Sequence, residues 1–146
     1  MLVFRLNGRL LEAAERMAET AGLTAARWQV LGGVLDEPRP VAEIARRMGM
    51  TRQAVQRLAN VLVDEGFARW EPNPAHRRAK LLRPTRRAYD AVRRIAVLQH
   101  PWANDIGREV GVRDIRHLVT VGERILAALD DHDPVTGRGR AADDPP

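Results

Sequence analysis

The sequence predicts a mainly α-helical fold carrying one small β-hairpin. Three observations lead there. Apolar residues recur at spacings of three and four along most of the chain, whereas strict alternation is confined to two short runs, residues 67–71 and 80–83. Aromatics make up only 4% of the residues while hydrophobics reach 45%, so Ala, Leu, Val and Ile must carry the burial, which suits helix-on-helix packing. Turn-forming residues fall between the periodic segments. At 146 residues the chain fits one domain, expected over residues 1–132.

The elements follow in order. Residues 4–21 read as a helix with Leu10, Ala14, Met17 and Ala21 along one stripe, stopped by Gly22. Thr24 is placed to cap a second helix over 25–35, which the breaker Asp36-Glu37-Pro38-Arg39-Pro40 ends. A third helix spans 41–48 and a fourth 52–65. The two alternating runs make the hairpin, joined through Pro72-Asn73-Pro74-Ala75-His76. From Thr85 a long helix runs towards Gly107, with Pro101 expected to kink or interrupt it. A last helix over 113–129 sets Ile115, Leu118, Val119, Gly122, Ile125, Leu126 and Leu129 on one face. Residues 133–146, rich in Pro, Gly, Arg and Asp, read as a disordered tail. There is no internal repeat.

Net charge is +5, and its distribution is uneven. Between residues 41 and 90 eleven Arg/Lys face five Asp/Glu, an excess of six that is larger than the charge of the whole chain. A basic stretch set in a slightly acidic remainder is the electrostatic footprint of a polyanion-binding surface. Other classes are disfavoured. With no cysteine there can be no disulfide, thiolate zinc site or cysteine redox switch. No apolar run approaches the ~20 residues of a membrane span, and the opening residues are charged too early and too often for a signal peptide. A cytoplasmic protein with no membrane partner is expected. His76, His100, His117 and His132 do not pair at metal-ligand spacing. Nothing resembles a nucleophile with its base, a paired-carboxylate site or a phosphate-cradling glycine loop, so neither an enzyme nor a bound cofactor or metal is expected.

The stretch 41–85 carries the chemistry. Its third and fourth helices must cross steeply around a tight turn, the helix-turn-helix arrangement. Ala45 is small where they approach, and Gly49 can take the left-handed conformation the turn needs. Ile44, Met48, Val55 and Leu58 are the apolar positions that lock the pair. Thr51 can cap the fourth helix and touch a phosphate from the same place. With Ala54, Val55 and Leu58 inward, Arg52, Gln53, Gln56, Arg57 and Asn60 point outward. Arg suits guanine and Gln suits adenine in the major groove, through bidentate hydrogen bonds. No acid occurs between residues 51 and 63, nor between Glu71 and Asp90, where Arg77, Arg78, Lys80, Arg83, Arg86 and Arg87 crowd together. Arg77 and Arg78 at the hairpin tip suit the minor groove or its flanking phosphates. Arg83 is expected to flank its strand, and Arg86 and Arg87 to cap or solvate the next helix.

These residues, IARRMGMTRQAVQRLANVLVDEGFARWEPNPAHRRAKLLRPT together with Trp28-Gln29-Val30-Leu31, resemble the MarR family of bacterial transcriptional regulators, and the resemblance covers about 4–129. It implies a winged helix-turn-helix lobe over about 25–90, with dimerisation helices at about 4–21 and 101–130. It implies a homodimeric repressor that binds double-stranded DNA, with Thr51, Arg52, Gln53, Gln56, Arg57, Arg77, Arg78 and Lys80 at the interface. A small aromatic ligand that releases the DNA is a further implication, with Trp28 as a pocket residue. The family's wing usually carries an acid and, two positions on, a base; here His76 stands where the acid would be, while Arg78 matches. Two alternatives stay open at this point: a winged-helix protein-interaction module, and a constitutive DNA binder without a ligand.

Overall fold

A computed structural model of the chain describes residues 1–76 and 78–132. The tail at 133–146, expected to be disordered, lies outside the described residues, as does Arg77, expected at the wing tip. The chain divides after His100 into two compact units.

In the first unit, helix α1 (Leu2–Glu19) buries Ala13, Met17 and Ala18, with Ala21 buried just beyond its end. It starts and stops two residues ahead of the expected limits. Leu10, assigned to the buried stripe, is instead 46% exposed. Helix α2 (Ala25–Gly32) has two caps. The Thr24 hydroxyl accepts the Arg27 amide at 3.3 Å, and the Glu15 carboxylate reaches across from α1 to accept the Ala25 amide at 2.7 Å. Helix α2 ends three residues before Leu35, at a glycine pair. A Cβ on Gly33 would stand 3.1 Å from Ile44 Cγ2 and 3.3 Å from the Val30 carbonyl oxygen, so the next helix packs directly on bare backbone there.

The breaker between the second and third helices holds a strand. Strand β1 (Arg39–Pro40) is two residues long, too short to show alternation. It joins β2 (Ala68–Glu71) and β3 (Leu81–Pro84) in an antiparallel sheet of order β1-β3-β2. Arg39 pairs with Leu82 and Pro40 with Leu81. Proline is tolerated because β1 is an edge.

Helices α3 (Val41–Met48) and α4 (Arg52–Asp64) match their expected limits to within a residue. Gly49 at φ +62° ends α3 in the left-handed region, and Thr51 caps α4 by accepting the Ala54 amide at 3.2 Å. Ile44, Val55, Ala59 and Leu62 are fully buried, together with Val30, Leu31, Val34, Leu82 and Ile95. Met48 and Leu58 are only half-buried, at the rim of that core. The base of the hairpin is tied off by Thr85, whose hydroxyl donates to the Gly66 and Phe67 carbonyls at 2.7 and 3.1 Å.

Helix α5 (Arg86–Val110) runs through Pro101 without interruption. A proline removes one intrahelical bond, which does not end a helix anchored upstream by buried Ala88, Ala91 and Ile95. The second unit holds the end of α5 and helix α6 (Val112–Asp131), which are separated by Gly111 at φ +91°. Val112, Leu118, Val119, Ile125, Leu126 and Leu129 on α6 are all more than half exposed. Among the described residues, no helix is long and apolar enough to cross a membrane.

Candidate nucleic-acid interface

The burial of α4 is one-sided for a simple reason. Val55, Ala59 and Leu62 recur at spacings of four and three and face the core, so residues one and two positions away must face outward. Arg52, Gln53, Gln56, Arg57 and Asn60 are all exposed, as the sequence pattern demands. Thr51 is exposed at the helix start with its hydroxyl engaged as the cap. The N-terminal amides of α4 and this hydroxyl therefore share one end of the outward face, where a phosphate is electrostatically favoured.

Across from α4 stands the hairpin, and between them lies an open groove of about 610 Å³. Arg52, Gln53 and Gln56 form one wall and Arg78, Ala79 and Lys80 the other, over a floor of Pro40, Val41, Ala42 and Trp70. Arg57 lies on the opposite flank of the helix, where it shares a shallower depression with Gln53 and Gln56. Five of the eight sequence-identified residues thus line one groove, Arg57 adjoins it, Thr51 sits at the helix start, and Arg77 lies outside the described residues. Trp28 is half-buried on α2 and does not line this groove.

Three features of the site were not foreseen. Trp70 forms the groove floor; alternation along β2 puts it on the same side as buried Ala68, which was the available signal. Asn60 accepts a hydrogen bond from the Gln56 amide at 3.0 Å, an i,i+4 pair that restrains a side chain otherwise in solvent. Third, Glu71, the last residue of β2, binds two arginines along the hairpin strands, Arg83 at 2.6 Å and Arg69 at 2.9 Å. With His76 in place of an acid in the loop, carboxylate support for the wing comes from the end of β2.

Arg87 is similarly engaged. Its guanidinium donates to the Glu65 carbonyl at 2.7 Å and lies 4.4 Å from the Phe67 ring centroid, capping the C-terminal end of α4 with positive charge. On the far side of the sheet, Arg39 is 3% exposed. It meets three carboxylates, Asp36, Glu37 and Glu43, and donates to the Gly33 carbonyl at 2.9 Å.

These pairs set an acid limit on stability. The Arg39 guanidinium holds the Asp36 carboxyl well below the usual carboxylate range, and Arg83, then Arg69, lower that of Glu71. A lowered carboxyl means that the ionised form favours the folded state. The stabilisation is present above about pH 4 and is lost as pH falls further. Asp36 is more than half exposed, so solvent screening keeps its share small. The thermal midpoint is expected to fall between about pH 5 and pH 3, and Glu71→Gln is expected to flatten that fall. Melting curves across this range check it; an identical slope in the variant would remove Glu71 from the account.

Residues 21–79 match the model of the MarR family. Uncharacterized proteins of Mycobacterium bovis and Mycobacterium tuberculosis are 49% identical over 80 residues, 55% of this chain and 56% of theirs, so the match spans about half the length of these relatives. Among solved structures, the transcriptional regulator BldR from Sulfolobus solfataricus has a TM-score of 0.77 at 16% identity, covering 87% of this chain and 91% of that one. A mutant MarR from E. coli complexed with operator DNA has a TM-score of 0.75 at 16% identity, with 86% and 91% covered. The M. tuberculosis regulator MosR in complex with DNA has 0.70 at 22%, with 87% and 95% covered. The fold is that of these regulators.

Proposed function

We propose, from the premise that the winged-helix lobe of this chain is of the MarR family, that the protein is a transcriptional regulator that binds double-stranded DNA as a homodimeric repressor. One observation carries the reading: an acid-free helix face bearing Arg52, Gln53, Gln56 and Arg57 shares a groove with a cationic wing. The roles divide by chemistry. Planar forks and amides on α4 match the donor and acceptor pattern of base edges, so Arg52, Gln53, Gln56 and Arg57 read sequence. Thr51, Arg77, Arg78 and Lys80 hold phosphates or seat the wing, which fixes register without reading bases. That two of the structural neighbours are complexed with DNA supports this use of the fold.

Self-association follows from surface left in water. Leu2, Val3 and Phe4 on α1 are each at least 75% exposed, and the apolar face of α6 is more than half exposed. Covering such faces is favourable by roughly 25 cal/mol per Å², and a second copy of the chain supplies matching apolar surface for each. The single domain over residues 1–132 is part of the proposal, with residues 25–90 as the DNA-binding lobe and the helices at 4–21 and 101–130 as the dimer interface. The proposal also includes release by a small aromatic ligand, with the half-buried Trp28 indole as a contact.

The test is selection of bound sequences from a random duplex pool. The expected winner is a pseudo-palindrome with half-sites about one helical turn, ~34 Å, apart. Titrating that complex with aromatic acids then tests release. Recovery of no duplex at all would replace this reading with a protein-interaction module.

A further inference from the structure

We infer that Arg39, which lies outside the DNA-facing surface, is a positioning residue that holds the recognition helix and the wing in one fixed relation; the inference rests on the DNA-binding reading above. The side chain and the backbone of this residue serve different elements. Through its guanidinium it grips the last turn of α2 at the Gly33 carbonyl, the connecting loop at Asp36 and Glu37, and the first turn of α3 at Glu43 Oε1, 3.0 Å away. Through its backbone it belongs to β1 and pairs with Leu82 of the wing's second strand. No other described residue joins both the first helix of the helix-turn-helix and the wing in this way.

The consequence passes to α4 by packing. Helix α3 meets α4 through Ile44, Ala45 and Val55, all buried, so the orientation of α3 sets that of α4. Pro40 and Val41, immediately after Arg39, line the groove between α4 and the wing. The planar fork is essential because five N–H donors in one plane serve carboxylates and a carbonyl on several sides. A lysine ammonium keeps the charge and loses that geometry. With lysine, the charge remains but the two DNA-contacting arms are expected to move more independently.

The chain has no cysteine, so Asn60→Cys on α4 and Ala75→Cys on the wing give a unique nitroxide pair, measured in protein diluted with unlabelled chain. The expected result is a narrow distance distribution with Arg39 and a broadened or displaced one with Arg39→Lys. In the unlabelled protein, the ratio of specific to random duplex affinity is expected to fall about tenfold, the loss of one well-set base contact. Ile95→Val, a destabilising change in the core away from the contacts of Arg39, should lower the melting point and leave both distribution and ratio unchanged. Should Arg39→Lys fail to fold by circular dichroism, Glu43→Gln, which leaves Arg39 and its Gly33 bond in place, is expected to show a smaller broadening. Distributions that stay unchanged in whichever variant folds would overturn the inference. The distance measurement needs no DNA, so wild-type protein that binds no duplex would defeat the functional reading and leave this one decided by the spectra.

Discussion

Alanine at both Gln53 and Arg57 is expected to weaken binding to the selected operator by ~2–6 kcal/mol per half-site while changing affinity for random duplex far less, from ~1–3 kcal/mol for each bidentate contact. The two residues are one helical turn apart and share the same shallow depression on α4. Neither has a side-chain partner in the protein among the described hydrogen bonds, and both are exposed, so truncating them leaves no buried group unsatisfied. The folded state should therefore be unaffected, and the loss should be read in binding alone. Fluorescence anisotropy with operator and scrambled duplexes makes the measurement. Equal losses on the two would move these residues from base reading to phosphate contact.

Ile44→Ala should cost about 2–5 kcal/mol of folding stability, the range for truncating a fully buried aliphatic side chain. Ile44 is 0% exposed and lies at the meeting of three helices. It packs towards α4 on one side and, on the other, against the bare backbone of Gly33 at the end of α2. That second contact makes a coupled prediction. Gly33→Ala alone is expected to be destabilising, because the buried isoleucine and the Val30 carbonyl would each have to give by a few tenths of an ångström. In the Ile44→Ala background the closer of these two contacts is gone and only the Val30 carbonyl remains, so the cost should shrink. Urea unfolding of the four proteins completes the cycle. Strict additivity would mean that α2 and α3 adjust independently, contrary to the close approach at Gly33.

Much of the fold could be read before any coordinates because its helices declare themselves by period. Val55, Ala59 and Leu62 fix which side of α4 is buried, and the outward set Arg52, Gln53, Gln56, Arg57 follows by subtraction. Thr24, Gly49 and Thr51 were legible for another reason: a cap or a left-handed turn restricts residue type strongly enough to be seen alone. What escaped is stabilised by partners distant in sequence. Strand β1 is two residues long and exists only because Leu81 and Leu82 are there to pair with it, forty-odd positions on. Arg39 looked like one charge in a proline-rich breaker, since nothing local reveals that a guanidinium is enclosed by carboxylates from a loop and a helix. Trp70 likewise becomes a groove floor only after the hairpin folds beside α4.

The charge pairs along the hairpin strands and at the end of α4 change how the basic segment should be valued. Arg69 and Arg83 answer Glu71, and Arg87 answers a helix carbonyl and a phenyl ring. These three cations already have partners within the protein, though their side chains stay at the surface. Of the eleven Arg and Lys between residues 41 and 90, at most eight remain to displace the ions condensed on a nucleic-acid backbone, and each phosphate neutralised contributes about −0.9 to the slope of log affinity against log salt. The sequence-blind attraction is smaller than the count of eleven suggests. On the proposed reading, residence at a chosen site then depends on the five side chains that α4 turns outward.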